Sequence, residues 1–228
     1  MNLKGATFLV AIASLSASSL ADLQSDFSTT NGNPNGDWSY GTLSSIGGAF
    51  TAFTWTQTSS LGSANFDGWY AGPGSLPGAY KLLSGNIFGA NGGDGFIAVG
   101  EVSLHGGQSG ELAVVRYTVP AAGIFNLTGY FASGDSATPI FGRIDGYVVR
   151  NGNILWSALN TPNTETFALG GVSLNAGDTI DIVVGIGQDT YNFDSTPVNL
   201  AVTPVPEPAT LAALGLGLAA VARRRKNR

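Results

Sequence analysis

A chain built for acid–base or nucleophilic chemistry gathers titratable groups around a nucleophile, and this chain spreads them thinly. Its one histidine, His105, lies in the glycine-rich stretch Leu104-His105-Gly106-Gly107, and no Gly-x-Ser-x-Gly elbow supplies a serine for it to activate. A lone histidine in such a loop reads as a hydrogen-bonding structural residue. Glycoside hydrolysis needs two carboxylates about 5 to 9 Å apart. Glu101, Glu111, Asp145 and Asp181 are the candidates, and carboxylates on solvated faces and turns are the simpler reading. No residue is assigned a catalytic role, so the chain is expected not to be an enzyme; the alternative is an extracellular polysaccharide hydrolase or lyase.

Metal and ring chemistry remain. The stretch Asn31-Gly32-Asn33-Pro34-Asn35-Gly36-Asp37 alternates oxygen ligands as a calcium loop does, but Thr42 stands where an EF-hand places its bidentate glutamate. Asparagine and glycine also favour turns for conformational reasons alone. Asp178, Asp189 and Asp194 form a second candidate, a structural calcium site at a loop end, and otherwise no metal or cofactor is expected. Large rings are plentiful: Trp38, Tyr40, Trp55, Trp69, Tyr70, Tyr80, Trp156 and Tyr191. Sugars present apolar C–H faces that pack on aromatic rings, while amides and carboxylates bind their hydroxyls. Most of these rings are expected to fill the core. Trp69 and Tyr70, between Gly68 and a Gly-Pro loop, are the pair expected to be exposed as a glycan-binding platform.

The elements that must carry these residues are strands. Between residues 22 and 204 no segment sustains a 3.6-residue period, and short β-branched and aromatic runs recur between Gly, Asn, Asp and Pro clusters. Strands are predicted at 112–119, 124–131, 146–150, 153–156, 172–174, 179–184 and 198–202. Asn151-Gly152 predicts a type I′ hairpin turn, and Asn175-Ala176-Gly177-Asp178 the next turn. In the strand that follows, Ile180, Ile182 and Val184 alternate with Thr179, Asp181 and Val183, which predicts one buried face and one mostly polar face. The fold class is therefore all-β: an antiparallel, jelly-roll-like β-sandwich over residues 22–204. The half before Gly100 is expected to supply an N-terminal strand, long loops and edge strands.

The chain has no cysteine, which excludes disulfides, cysteine-ligated zinc and thiol catalysis. Residues 22–204 carry four basic side chains against fourteen acidic ones, a net charge of −10. A polyanion such as nucleic acid is not expected as a partner.

Both ends read as processing segments. Residues 1–21 combine Lys4, an apolar run from Ala6 to Leu15 and small residues leading to Ser19-Leu20-Ala21, the layout of a signal peptide cleaved between Ala21 and Asp22. Residues 205–228 begin Val205-Pro206-Glu207-Pro208 and continue through an apolar run, Ala209 to Ala222, broken only by Thr210. They end in the basic cluster Arg223, Arg224, Arg225, Lys226 and Arg228. That run is a predicted hydrophobic helix of 14 residues. It is short of the roughly 20 that cross a bilayer, though local thinning and snorkelling arginines allow a transient transmembrane span. The basic end stays cytoplasmic, which leaves Pro206, Glu207 and Pro208 outside, extended and accessible.

Proline-bracketed glutamate, hydrophobic segment and basic end, in that order, resemble the PEP-CTERM sorting signal. The resemblance implies export through the inner membrane of a Gram-negative bacterium and processing at Pro206-Glu207-Pro208 by an exosortase, a membrane transpeptidase. It also implies transient membrane contact through the C-terminal helix and delivery to the cell surface or extracellular matrix. Leu104-His105-Gly106-Gly107, the stretch from Ala113 to Gly123, the stretch from Gly171 to Asp181 and Tyr191-Asn192-Phe193-Asp194-Ser195-Thr196 are similar to successive landmarks of an uncharacterised bacterial extracellular β-sandwich, itself similar in outline to carbohydrate-binding jelly rolls. Gly106 and Tyr117 stand where that group has proline and tryptophan. The resemblance implies a structural or glycan-binding role, with extracellular polysaccharide as partner.

Overall fold

A computed structural model of the protein describes residues 20–61, 64–85, 97–134, 143–187, 191–192, 194–206 and 223. Leu20–Val205 packs as one compact unit. The terminal segments, Met1–Ser19 and Pro206–Arg228, form a separate unit, of which Pro206 and Arg223 alone are described.

Two antiparallel sheets make up the compact unit. The first runs in the order β12 (Glu165–Leu174), β9 (Gly123–Phe131), β14 (Thr196–Pro204), β7 (Val102–His105), β6 (Ser75–Ser84), β5 (Ala64–Gly72) and β4 (Trp55–Leu61), and the short β1 (Ala21–Asp22) pairs with β14. The second runs in the order β11 (Asn153–Thr161), β10 (Ile144–Arg150), β13 (Thr179–Gly185), β8 (Leu112–Thr118), β2 (Trp38–Leu43) and β3 (Thr51–Ala52). A single helical turn, α1 (Leu23–Asp26), follows β1 and is capped by the Asp22 side chain, which accepts from the Ser25 amide. From β7 onward the chain passes from one sheet to the other between β7 and β8, β8 and β9, β9 and β10, β11 and β12, β12 and β13, and β13 and β14. Such repeated crossing is what makes the β-sandwich jelly-roll-like.

Alternation decides what lies between the sheets. Successive side chains of a strand leave opposite faces, so every second residue enters the core. The inward set comprises Ala113, Val115 and Tyr117 of β8, Ile180, Ile182 and Val184 of β13, Leu127 and Phe131 of β9, and Val198, Leu200 and Val202 of β14. The strands expected in the second half are all present. Most of them run further than the sequence reading proposed, β11 and β12 by the most. Asn151 and Gly152 take φ values of 47° and 81°, the two left-handed positions a type I′ turn requires.

The neighbouring turn is fastened to that hairpin. Asp178 accepts from the Asn175 amide, from Asn151 Nδ2 and from Arg150 Nη2, at 2.9, 2.9 and 2.8 Å. These hydrogen bonds, the one from the Asn175 amide first, hold its carboxyl at about 2, below the ordinary 3.8. A depressed carboxyl contributes its stabilisation above the ordinary value and loses it as pH falls through the depressed one. An NMR titration of Asp178 is therefore expected to show a midpoint near 2, and a midpoint at the ordinary 3.8 would overturn this account.

One expectation needs correction. The face of β13 that carries Thr179, Asp181 and Val183 is mostly polar but is covered too: Asp181 and Val183 are buried as fully as their inward neighbours. Residues 44–50 lie over that face, with Ile46 and Phe50 packed against Leu43, Val114, Val149 and Val183. The charge this buries is paired. Arg116 on β8 stands opposite Asp181 in the β8–β13 register and donates to both carboxylate oxygens, at 2.7 and 2.8 Å, with its guanidinium 4.3 Å from the Phe50 ring centre. The edge strands expected of the first half are β4, at the edge of the first sheet, and β3, at the edge of the second, while β2 lies inside the second sheet between β8 and β3.

Candidate functional site

The meander β4–β5–β6 and the end of β7 carry an open cleft on the outer face of the first sheet. Register and pleat place its residues. Gln57 pairs with Gly68, Ser59 with Phe66, Tyr70 with Gly78 and Gly78 with His105, so all of these point to one face. Trp69, Ala79 and Leu104 alternate with them and enter the core. The cleft has a volume of about 250 Å³, with walls that include Phe66, Tyr70, Tyr80, Gln57, Ser59 and His105.

Its floor explains two glycines in mid-strand. A Cβ on Gly68 would lie 2.7 Å from the Tyr70 ring, and one on Gly78 would lie 2.6 Å from it. The Tyr70 ring therefore lies down across the backbone of both strands, in parallel offset from Tyr80 with centroids 6.5 Å apart. Burial, then the proximity of Tyr80 and Asp67, pushes the Tyr70 hydroxyl well above the ordinary phenol range. It stays a neutral hydroxyl that can both donate and accept. Gln57 clamps the wall: its carbonyl accepts from the Gly74 amide in the β5–β6 turn, and its amide donates to Ser59 Oγ. Tyr80 donates to Ser195 Oγ at 3.0 Å, and His105 Nδ1 donates to the Gly106 carbonyl at 2.9 Å.

Trp55 completes the arrangement. It pairs with Tyr70 across β4 and β5, so its ring leaves the same face as the cleft, and it is 45% exposed. Among the described residues it is the exposed tryptophan, half a ring of apolar surface beside hydroxyls and an amide. This combination suits a sugar, whose faces are apolar and whose rim is polar.

The pair selected from sequence is not an exposed platform. Trp69 and Tyr70 are 6% and 8% exposed. Trp69 faces inward, parallel to Tyr40 at 6.3 Å, with its Nε1 donating to the Ser28 carbonyl at 2.8 Å. Gly68 belongs to a strand and not to a loop, so residues 69 and 70 point to opposite faces and cannot form one surface. Tyr70 joins the cleft; Trp69 does not. Sequence reasoning missed Trp55 as the exposed ring. The available signal was its strand, where Thr56, Gln57, Thr58, Ser59 and Ser60 offer it no apolar neighbours to be buried with.

The carboxylates considered for hydrolysis hold structure. Glu101 accepts from the Tyr130 hydroxyl at 2.6 Å and from the Ala98 amide at 2.7 Å. Glu111 accepts from the Ser109 amide, and Asp145 from the Asn160 amide. Asp145 and Asp181 lie on adjacent strands, where Asp181 pairs with Val149, four positions along β10 from Asp145. That is about 13 Å at roughly 3.3 Å per residue, beyond the reach of a retaining or inverting pair.

The calcium candidates fare similarly. Asn33 donates to the Tyr40 and Phe53 carbonyls and accepts from the Tyr40 amide, and Asn35 donates to the Asp26 carbonyl. The loop at 31–37 thus ties β2 to the core with the side chains a metal would need. Asp178 serves the hairpin, Asp194 is buried, and Asp189 lies outside the described residues. Among the described residues no group of three or more His, Asp or Glu side chains is placed to hold a metal ion.

At the N-terminal end, Ala21 and Asp22 pair with Val202 and Ala201, and Asn199 donates to the Asp22 carboxylate at 3.1 Å. Residues 1–19 of the expected signal peptide lie outside the described residues, as do Glu207, Pro208, the expected hydrophobic helix at 209–222, Arg224, Arg225, Lys226 and Arg228. Pro206 and Arg223 are exposed. Among the described residues no helix is long and apolar enough to cross a membrane.

Residues 204–226 match the family model of the PEP-CTERM protein-sorting motif. The chain thus carries a sorting signal that marks an exported protein with a surface or extracellular destination. No curated protein sequence matches the chain. Solved structures similar to it include a family 35 carbohydrate-binding module from Clostridium thermocellum, at 16% identity and a TM-score of 0.31, covering 46% of this chain and 78% of that one. A family 35 carbohydrate-binding module from an environmental isolate covers 74% of this chain and 98% of its own, at 14% identity and a TM-score of 0.29. Rabbit GITRL covers 41% and 73%, at 16% identity and a TM-score of 0.31.

Proposed function

We propose that this is a non-catalytic surface or matrix protein that binds polysaccharide through the cleft beside Trp55, after an exosortase has processed it at Pro206-Glu207-Pro208. The observation that carries the reading is the pairing of an exposed indole with a neutral, hydroxyl-rich cleft on one rigid sheet face. Strands hold the contributing side chains in place, so little ordering cost falls on the binding step. The tail supplies the delivery, with its hydrophobic segment in transient contact with the membrane.

A glycan array read beside a reducing-sugar release assay tests the reading on the full-length chain. Retention without release of reducing ends is expected, and Trp55→Ala should lower retention at least about tenfold, in keeping with about 1.4 kcal/mol from one stacked ring. Because Trp55 is exposed, the variant should keep its stability within about 0.5 kcal/mol. Unchanged retention would remove the cleft from consideration, and release of reducing ends would establish the hydrolase or lyase reading instead.

A further inference from the structure

We infer that the cleft selects uncharged polysaccharides and rejects uronate-rich, sulfated or phosphorylated ones, an inference that rests on the cleft being the binding site. Between Asp22 and Pro204 the chain has four basic residues, Lys81, Arg116, Arg143 and Arg150, and all four are described. None lines the cleft.

Each is held elsewhere. Lys81 follows Tyr80 on β6 and so leaves the opposite face, where its Nζ donates to the Gln24 carbonyl. Arg116 is bound to Asp181 on the second sheet. Arg143 donates to the Asn160 carbonyl at 2.9 Å, also beside the second sheet. Arg150 is bound to Asp178 at the hairpin.

An anionic sugar in the cleft would meet no fixed cation. Its carboxylate or sulfate would give up water for rings, hydroxyls and one amide, and charged groups are poorly compensated by such partners. The net charge of −10 on the same stretch, four basic against fourteen acidic residues, adds long-range repulsion of a polyanion. A neutral pyranose escapes both costs. Its hydroxyls meet groups that donate and accept, among them Gln57, Ser59, Ser75 and the Tyr70 hydroxyl.

The test compares the full-length chain with Trp55→Ala on immobilised neutral polysaccharides (dextran, galactomannan and a mixed-linkage glucan) and acidic ones (polygalacturonate, alginate and a sulfated galactan). Mildly alkaline buffer and physiological salt are used throughout. The readout is the retention lost on substitution, so that any attraction of the basic C-terminal cluster to acidic matrices, equal in both proteins, cancels. Trp55-dependent retention on at least one neutral polysaccharide, about tenfold or more above every acidic one, is the expected result. Equal or greater Trp55-dependent retention on an acidic polysaccharide overturns the selectivity while leaving the cleft a binding site. Absence of Trp55-dependent retention on every matrix and on the glycan array overturns the binding reading itself.

Discussion

Replacing Trp69 with alanine is expected to cost about 3 to 5 kcal/mol, enough to consume much of a domain's usual stability. The residue is 6% exposed and lies parallel to Tyr40. Its removal loses apolar burial, opens a cavity between the sheets and leaves the Ser28 carbonyl without its 2.8 Å donor. Equilibrium denaturation of the two proteins measures the difference. A loss below about 1 kcal/mol would mean that the indole is not core and would return Trp69 to the surface role its sequence neighbours suggest. Trp55→Ala is the matched control: the two tryptophans sit on paired strands and differ in cost because one enters the core and the other leaves it.

Arg116→Ala is expected to be of similar severity, about 3 to 5 kcal/mol, because it strands a buried carboxylate. The Asp181 side chain is 2% exposed and has both oxygens on the guanidinium. The double variant Arg116→Met, Asp181→Leu should recover most of the loss, since two apolar side chains under Phe50 demand no compensation. A single variant that unfolds at the wild-type denaturant midpoint, or a double variant no better than the single, would show that the pair is not what stabilises this face.

That pair also shows how far sequence reasoning reached. The stretches around Arg116 and Asp181, read from the sequence as similar to landmarks of an extracellular β-sandwich, form in the structure a cross-strand ion pair and the turn before Asp181. They form the fold and do not line the cleft. The strands of the second half were legible because alternation and turn residues agree there, Asn151-Gly152 above all. The sorting motif was legible because its parts are contiguous. The cleft was not, because it depends on which face each strand presents to the second sheet, and His105 and Ser195 reach it only through the long-range pairing of β6 with β7 and of β7 with β14. Gly68 misled for a physical reason: beside Trp69 and Tyr70 it looks like a residue that frees the pair from a core, whereas it and Gly78 let the Tyr70 ring lie on the sheet.

The position of β14 has a bearing on export. It is the last strand of the body, ending at Pro204 where the sorting motif begins, yet it lies in the middle of its sheet and is the join between the β12–β9 pair and the β7–β6–β5–β4 meander. A chain emerging from its N-terminus therefore carries two unconnected half-sheets until its final strand arrives. Closure of the sheet and exposure of the sorting motif then fall at the same moment in the passage of the chain. A cut after Pro204 leaves the sheet whole, whereas a cut a few residues earlier would remove the strand that unites it.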